Sequence, residues 1–259
     1  MRNPRKLIRV LACFLAVWVA NLFIPLNLTP MFANRIQRIT VASWILIAPV
    51  AIYIVVTKRR FRLPAFIAAT VLSIMVWSPW NSAMTFLCFY AAAMVFDDEL
   101  NEIKLIADRN RPSSALFSVL IGVAIGVPLA ALNLLGSVDL SMLAFNNPLS
   151  SAVRALTPAI SEEVVFRFFL YALCIYLIRG DLRNKKVRIL CLVLLVVPHA
   201  LLHLPDVFLA NPIEAVVSLI VLSLLFGLPM AMLQLKRDLV AAISLHWFID
   251  FVRFMLMSG

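Results

Sequence analysis

The stretch Ala115-Leu-Phe-Ser-Val-Leu-Ile-Gly-Val-Ala-Ile-Gly-Val-Pro-Leu-Ala-Ala-Leu-Asn-Leu-Leu-Gly136 carries no charged side chain. As a helix rising about 1.5 Å per residue, it crosses the ~30 Å hydrocarbon core of a bilayer. Similar apolar runs occupy about 8–28, 40–57, 63–79, 82–96, 155–178, 187–204, 213–234 and 239–257. Only helices and closed barrels satisfy their backbone in lipid, and these runs are too long for barrel strands. The expected fold is all-α: a polytopic transmembrane bundle of eight to nine spanning helices. The count turns on the short run at 82–96, which follows a turn marked by Trp77, Pro79 and Trp80. Composition agrees, with 63% hydrophobic residues and a mean hydropathy of +0.99, where soluble proteins are about half apolar.

The formal net charge is +10. Its placement is alternate. Arg2, Arg5, Lys6 and Arg9 precede the first run, and Lys58, Arg59, Arg60 and Arg62 follow the second. Lys104, Arg109 and Arg111 follow the fourth, Arg179, Arg183, Lys185, Lys186 and Arg188 the sixth, and Lys236 and Arg237 the eighth. The intervening loops hold little beyond Arg35 and Arg38. The positive-inside rule then gives a cytoplasmic N-terminus, nine spans and an outside C-terminus. A bacterial inner (plasma) membrane is the expected location. The basic clusters lie in loops without interleaved aromatics, which argues against nucleic-acid binding. The first run reaches about Leu28, longer than a signal h-region of ~7–15 residues, and reads as a retained span. Cys13, Cys88, Cys174 and Cys191 lie in apolar runs without CxxC spacing and read as small buried hydrophobes.

One polar linker, Phe96 to Pro112, interrupts the pattern. It suggests N-terminal transmembrane helices over 1–96 (about four spans), a cytoplasmic linker over 97–113 with a short surface helix, and a transmembrane core over 114–259. No internal repeat is visible, so transporter pseudo-symmetry lacks support.

All the polar chemistry of the apolar runs lies in the last unit. Charge there is costly and is by default functional. Ser161-Glu162-Glu163-Val164-Val165-Phe166-Arg167 places Glu163 and Arg167 four apart, on one helix face. Arg167 would hold Glu163 ionised, while Glu162 projects about 100° away with no local partner. Val197-Pro198-His199-Ala200-Leu201-Leu202-His203 puts two imidazoles one turn apart, with Pro198 at or near a helix break. That spacing is found in HExxH zinc helices, but the intervening Glu is absent. In His246-Trp247-Phe248-Ile249-Asp250, Asp250 can orient the ring of His246. Alone, Glu163 with Arg167 reads equally as helix packing, and for the others packing is the lesser reading. Together they supply a general base, a carboxylate with its cation, imidazoles and an orienting Asp, which suits water activation and oxyanion stabilisation. The rival readings are a proton or cation relay in a small transporter and a catalytically silent membrane scaffold.

In order and spacing these motifs resemble those of the CAAX-protease and bacteriocin-processing (CPBP) intramembrane endopeptidases: EExxxR, FxxxH, then HxxxN or HxxxD. The chain has Glu162-Glu163-Val-Val-Phe-Arg167, His199-Ala-Leu-Leu-His203 and His246-Trp-Phe-Ile-Asp250, so that His199 replaces the Phe. Gly227 also resembles the family. The likeness covers about 115–257. It implies a membrane-associated protein or peptide substrate in the lipid bilayer. Glu162 would activate water, His203 and His246 would stabilise the oxyanion, and Glu163, Arg167 and Asp250 would support them. It also leaves room for zinc on Glu162, His203 and His246, with His199 a supporting group or a third ligand, the former favoured. In the nine-span topology Glu162 and His203 lie near the outer face, which favours an exported or membrane-tethered substrate, one with a C-terminal sorting tag included.

Overall fold

The computed structural model describes residues 4–25, 32–99, 105–108, 111–137, 143–179, 182 and 184–257. It is a helical bundle, and among the described residues it has no β-strand, only one isolated bridge between Leu143 and Met257. The N-terminal helices are α1 (Arg5–Phe23), α2 (Arg35–Lys58), α3 (Leu63–Ile74) and α4 (Pro79–Glu99). After α5 (Pro112–Ser137), one continuous rod joins α6 (Pro148–Glu162), the π-helical turn π1 (Glu163–Phe169) and α7 (Leu170–Ile178). Then come α8 (Lys185–Leu202), the short α9 (Pro205–Ala210), a second rod of α10 (Pro212–Leu222), π2 (Ser223–Gly227) and α11 (Leu228–Lys236), and finally α12 (Leu239–Leu256). Among the described residues, five helices are long and apolar enough to cross a membrane unaided: Arg5–Phe23, Arg35–Lys58, Ser113–Gly136, Pro212–Lys236 and Leu239–Leu256. The rods that carry Glu162 and His199 are similar in length but more polar, as a site-bearing helix must be.

Sequence sets the helix boundaries. Asn34, Asn147, Asn184, Asn211 and Asp238 each cap a first turn by accepting from a backbone N–H, satisfying donors that a helix cannot. Pro148, Pro205 and Pro212 open helices where a missing N–H costs nothing. Two expected limits shift. Helix α4 starts at Pro79 and runs to Glu99, beyond the apolar run, because Asp97, Asp98 and Glu99 continue the helix without being apolar. Helix α8 passes through Pro198 and ends at Leu202, so the break lies after the proline. Packing holds the turn that lacks its Leu194 hydrogen bond, since Leu194, Leu195, Pro198 and His199 are all buried.

Of the linker, residues 105–108 are not helical, and the rest of the expected surface helix falls largely outside the described residues. They strap against the turn before α12, where buried Asp238 accepts from Ala107 N–H at 2.8 Å and from Ser118 Oγ at 2.5 Å.

One apolar core runs through both halves of the chain. Phe89 of α4 stacks on Phe168 of π1 at 5.1 Å. Trp18 of α1 meets Phe208 edge-on at 5.0 Å and donates Nε1–H to the Leu201 carbonyl at 2.9 Å. That carbonyl also accepts from the Leu204 N–H at 3.3 Å, and the indole takes the place that the N–H of Pro205 cannot fill. Cys88, Cys174 and Cys191 are buried, whereas Cys13 lies on the outer surface of α1, where an apolar thiol faces lipid at no cost.

Helix α12 is fixed by α5 and α6. A Cβ on Gly122 would stand 2.4 Å from the Ala241 carbonyl oxygen, and one on Gly126 3.2 Å from Phe248 Cβ. This small-xxx-small face lets two backbones meet directly. On the other side Trp247 donates to the Ala152 carbonyl at 2.9 Å. The bundle thus has two chemically different ends. Lys58 lies over the Tyr176 ring at 5.6 Å and the Arg62 N–H points at the Tyr90 hydroxyl, which marks the basic end. The start of α2 and the α3–α4 turn lie at the other, where the Trp77 N–H meets Thr157 of α6.

Candidate active site

The rod that begins as α6 changes to π over Glu163–Phe169, where the second carboxylate and Arg167 sit. Such wide turns are uncommon and concentrate at functional sites. All seven side chains of π1 are buried. The second π turn faces α8: a Cβ on Gly227 would lie 2.6 Å from Val196 Cγ1. Only glycine lets α8 approach here, three residues before His199.

Three helical rods then bring their polar groups to one point. Arg167 donates to Glu163 Oε1 in a fully buried ion pair. Its other terminal nitrogen lies 2.9 Å from His199 Nδ1. A guanidinium has donors only, so Nδ1 accepts and the His199 proton sits on Nε2. That N–H donates to Glu162 Oε2 at 2.5 Å. His246 Nδ1 lies 2.8 Å from Glu163 Oε1. Its Nε2 is 3.4 Å from Asp250 Oδ2 and 3.7 Å from Glu162 Oε2. His203 Nε2 stands 3.3 Å from His199 Nε2 and 4.0 Å from Glu162 Oε2. Phe166 stacks on the His199 ring at 5.7 Å.

Access is graded. The Glu163 and Arg167 side chains are wholly buried, that of Glu162 is 25% exposed and that of His203 43%. Glu163 Oε2 and Arg167 Nε find no partner among the described residues. Glu162 lines a cavity of about 280 Å³. Thr157, Pro158, Ser161 and Phe166 share its wall with Glu162, and Gln37, Thr40, Val41, Trp44, Ser78, Trp80 and Asn81 of the N-terminal helices complete it. The cluster therefore places one reachable carboxylate, oriented by a histidine, at the edge of a cavity in a membrane-embedded bundle.

Residues 144–252, which hold every member of this cluster, match the family model described as "Type II CAAX prenyl endopeptidase Rce1-like". This segment is similar to the CAAX protease family. No curated protein and no solved structure matches the chain.

In this segment, all seven side chains singled out in the sequence converge: Glu162, Glu163, Arg167, His199, His203, His246 and Asp250. Two pairings differ from expectation. Glu162 is not without a partner, because His199, from a different rod, bonds it. Glu163, rather than Asp250, makes the shorter contact with His246, since the π turn faces α12 directly while Asp250 reaches Nε2 at 3.4 Å. The cavity walls supplied by α2 and α4 carried no signal in sequence, because their polar residues are uncharged and scattered.

The donor set can be tested against zinc. Glu162, His199 and His203 have ligand atoms within 4.8 Å of one another. To bind through Nε2, His199 would carry its proton on Nδ1, facing the Arg167 donor 2.9 Å away. Two donors would then oppose each other. The set suggested by the family likeness, Glu162, His203 and His246, is not the one gathered within that distance. The residues as arranged do not fit a zinc ion.

Proposed function

We propose that this protein is an intramembrane endopeptidase of glutamate type, acting on an exported or membrane-tethered protein segment. The observation that carries the proposal is the geometry at Glu162: a carboxylate bonded by His199 Nε2–H at 2.5 Å, 3.7 Å from His246 Nε2, and lining a cavity.

Glu162 takes a proton from the attacking water as general base. Its side chain lines the cavity, and the bond from His199 fixes its direction. His246, anchored through Nδ1 on Glu163, presents Nε2 toward the same space, and His203 stands beside it. With Nδ1–H donated to Glu163, His246 offers a second N–H at Nε2 as the imidazolium, and in that form it stabilises the oxyanion as the carbonyl becomes tetrahedral. The proton held by Glu162 then passes to the leaving amine, and the tetrahedral intermediate collapses to carboxylate and amine. The Glu163–Arg167 pair touches no reacting atom and acts as the positioning base of both histidines.

The side of the membrane follows from charge. The cavity opens at the end opposite Lys58 and Arg62, which the positive-inside rule places outside. Thiol labelling of Ser161→Cys, in a chain freed of its four native cysteines, tests this. Labelling by an impermeant reagent from outside is expected, and labelling from the cytoplasmic side alone refutes it. Function is tested by following membrane-protein processing in cells carrying Glu162→Gln or His246→Ala. Loss of a processed product at normal protein level is expected. Unchanged processing refutes the peptidase reading.

A further inference from the structure

We infer that the cavity beside Glu162 binds an extended peptide segment that carries no carboxylate, at the outer membrane interface, with recognition supplied by the N-terminal helices. The inference rests on the peptidase reading above and adds to it the class of substrate.

Size comes first. A cavity of about 280 Å³ falls just below the ~300–1,000 Å³ range of ligand sites. It admits a short stretch of chain, not a folded element. Chemistry comes second. On the wall facing Glu162, Gln37 accepts from the Ala33 N–H through Oε1 at 2.8 Å, which leaves its amide N–H groups as donors. Thr40 donates to the Ile36 carbonyl at 2.8 Å, which leaves its oxygen as an acceptor. Asn81 adds both kinds of group. Donors and acceptors together on one wall suit the backbone of an extended peptide.

Trp44 makes the point more sharply. It lines the cavity, is 8% exposed, and its indole N–H has no partner among the described residues. A buried donor left unpaired costs free energy. A turn of the ring would bring that donor to a substrate carbonyl in the cavity.

Position and charge define the rest. Trp80 lines the cavity and is 72% exposed, and Trp77 is 77% exposed. Indoles exposed at a bundle end mark the membrane–water interface, so the opening takes a juxtamembrane segment. Among the described residues no lining residue is a cation, and Glu162 is the one charged group there. A substrate carboxylate would be desolvated beside a like charge with nothing to pair it. A prenylated CaaX tail brings both a free C-terminal carboxylate and a long apolar chain, and this polar wall suits neither. The cavity therefore selects an internal, acid-free segment.

The test is photocrosslinking in proteoliposomes, using the full chain with a photoreactive residue in place of Asn81, which is outside the catalytic cluster. Three synthetic lipid-anchored peptides are compared: a Gly/Ala/Ser/Gln juxtamembrane sequence, the same sequence with two central Asp residues, and a prenylated CaaX peptide. Crosslinking of the first should exceed both others by about tenfold or more, as an unpaired buried charge requires. Thr40→Trp, which fills the cavity, should abolish it. Equal or better crosslinking of the Asp or prenylated peptide overturns the inference, as does no crosslinking of any. Mass spectrometry of the same samples separates the two ideas. Crosslinking without cleavage upholds the cavity assignment and counts against the peptidase. Cleavage without crosslinking does the reverse.

Discussion

Arg167 donates to Nδ1 of His199 at 2.9 Å, so one buried cation fixes both the tautomer of the imidazole and the direction of its Nε2–H toward Glu162. The same cation neutralises Glu163, which in turn holds His246. A single guanidinium at the centre of π1 thus orders Glu163 and His199 directly, and Glu162, His203 and His246 through one neighbour.

His199 stands where the family pattern has Phe. His199→Phe should therefore leave the fold intact, since Phe166 already stacks on that ring. Loss of the bond to Glu162 should lower kcat by about 10- to 100-fold, the cost of a misplaced reacting group, with KM little changed. Steady-state kinetics on a lipid-anchored peptide measures both.

Arg167→Met should strand Glu163 in a wholly buried setting. Breaking a buried pair at one partner costs about 3–5 kcal/mol, and thermal unfolding in detergent should show it. The double variant Arg167→Met with Glu163→Gln should recover much of that stability without recovering activity, because the anchors of both histidines are gone.

The α5–α12 contact sets the position of His246. Gly122→Ala puts a methyl 2.4 Å from the Ala241 carbonyl oxygen, and overpacking of this kind costs about 1–3 kcal/mol. Both stability and activity should fall. Gly136→Ala, which meets nothing within 4 Å, is the matched control and should change neither.

Treatment with a zinc chelator should leave the activity of the purified protein unchanged, because the His199 donor direction opposes metal binding. Loss of activity restored by zinc would refute this part of the account.

How far the sequence could be read depends on distance along the chain. Glu163 with Arg167, and His246 with Asp250, lie four apart, and helical spacing alone brings each pair together. Glu162 with His199 and Glu163 with His246 lie 37 and 83 residues apart. No local rule joins them, which is why Glu162 reads as unpartnered in sequence. The π turn is invisible because its residues suit an α-helix equally well. Gly122 and Gly126 show a readable spacing, yet only the packed bundle reveals which helix meets them. Helix α4 outruns its apolar pattern because hydropathy ends at Phe96 while helix propensity does not. The cavity wall of Gln37, Thr40 and Asn81 was illegible, since uncharged polar residues at helix ends are ordinary in any bundle.

The most direct test of the central claim compares wild-type and Glu162→Gln protein in single-turnover cleavage of one lipid-anchored peptide in proteoliposomes. Glutamine keeps the shape and can still accept from His199, but it cannot take a proton from water. The account predicts a rate loss of about 10²–10⁴-fold with the melting temperature preserved. Cleavage within twofold of wild type by the folded variant would contradict it.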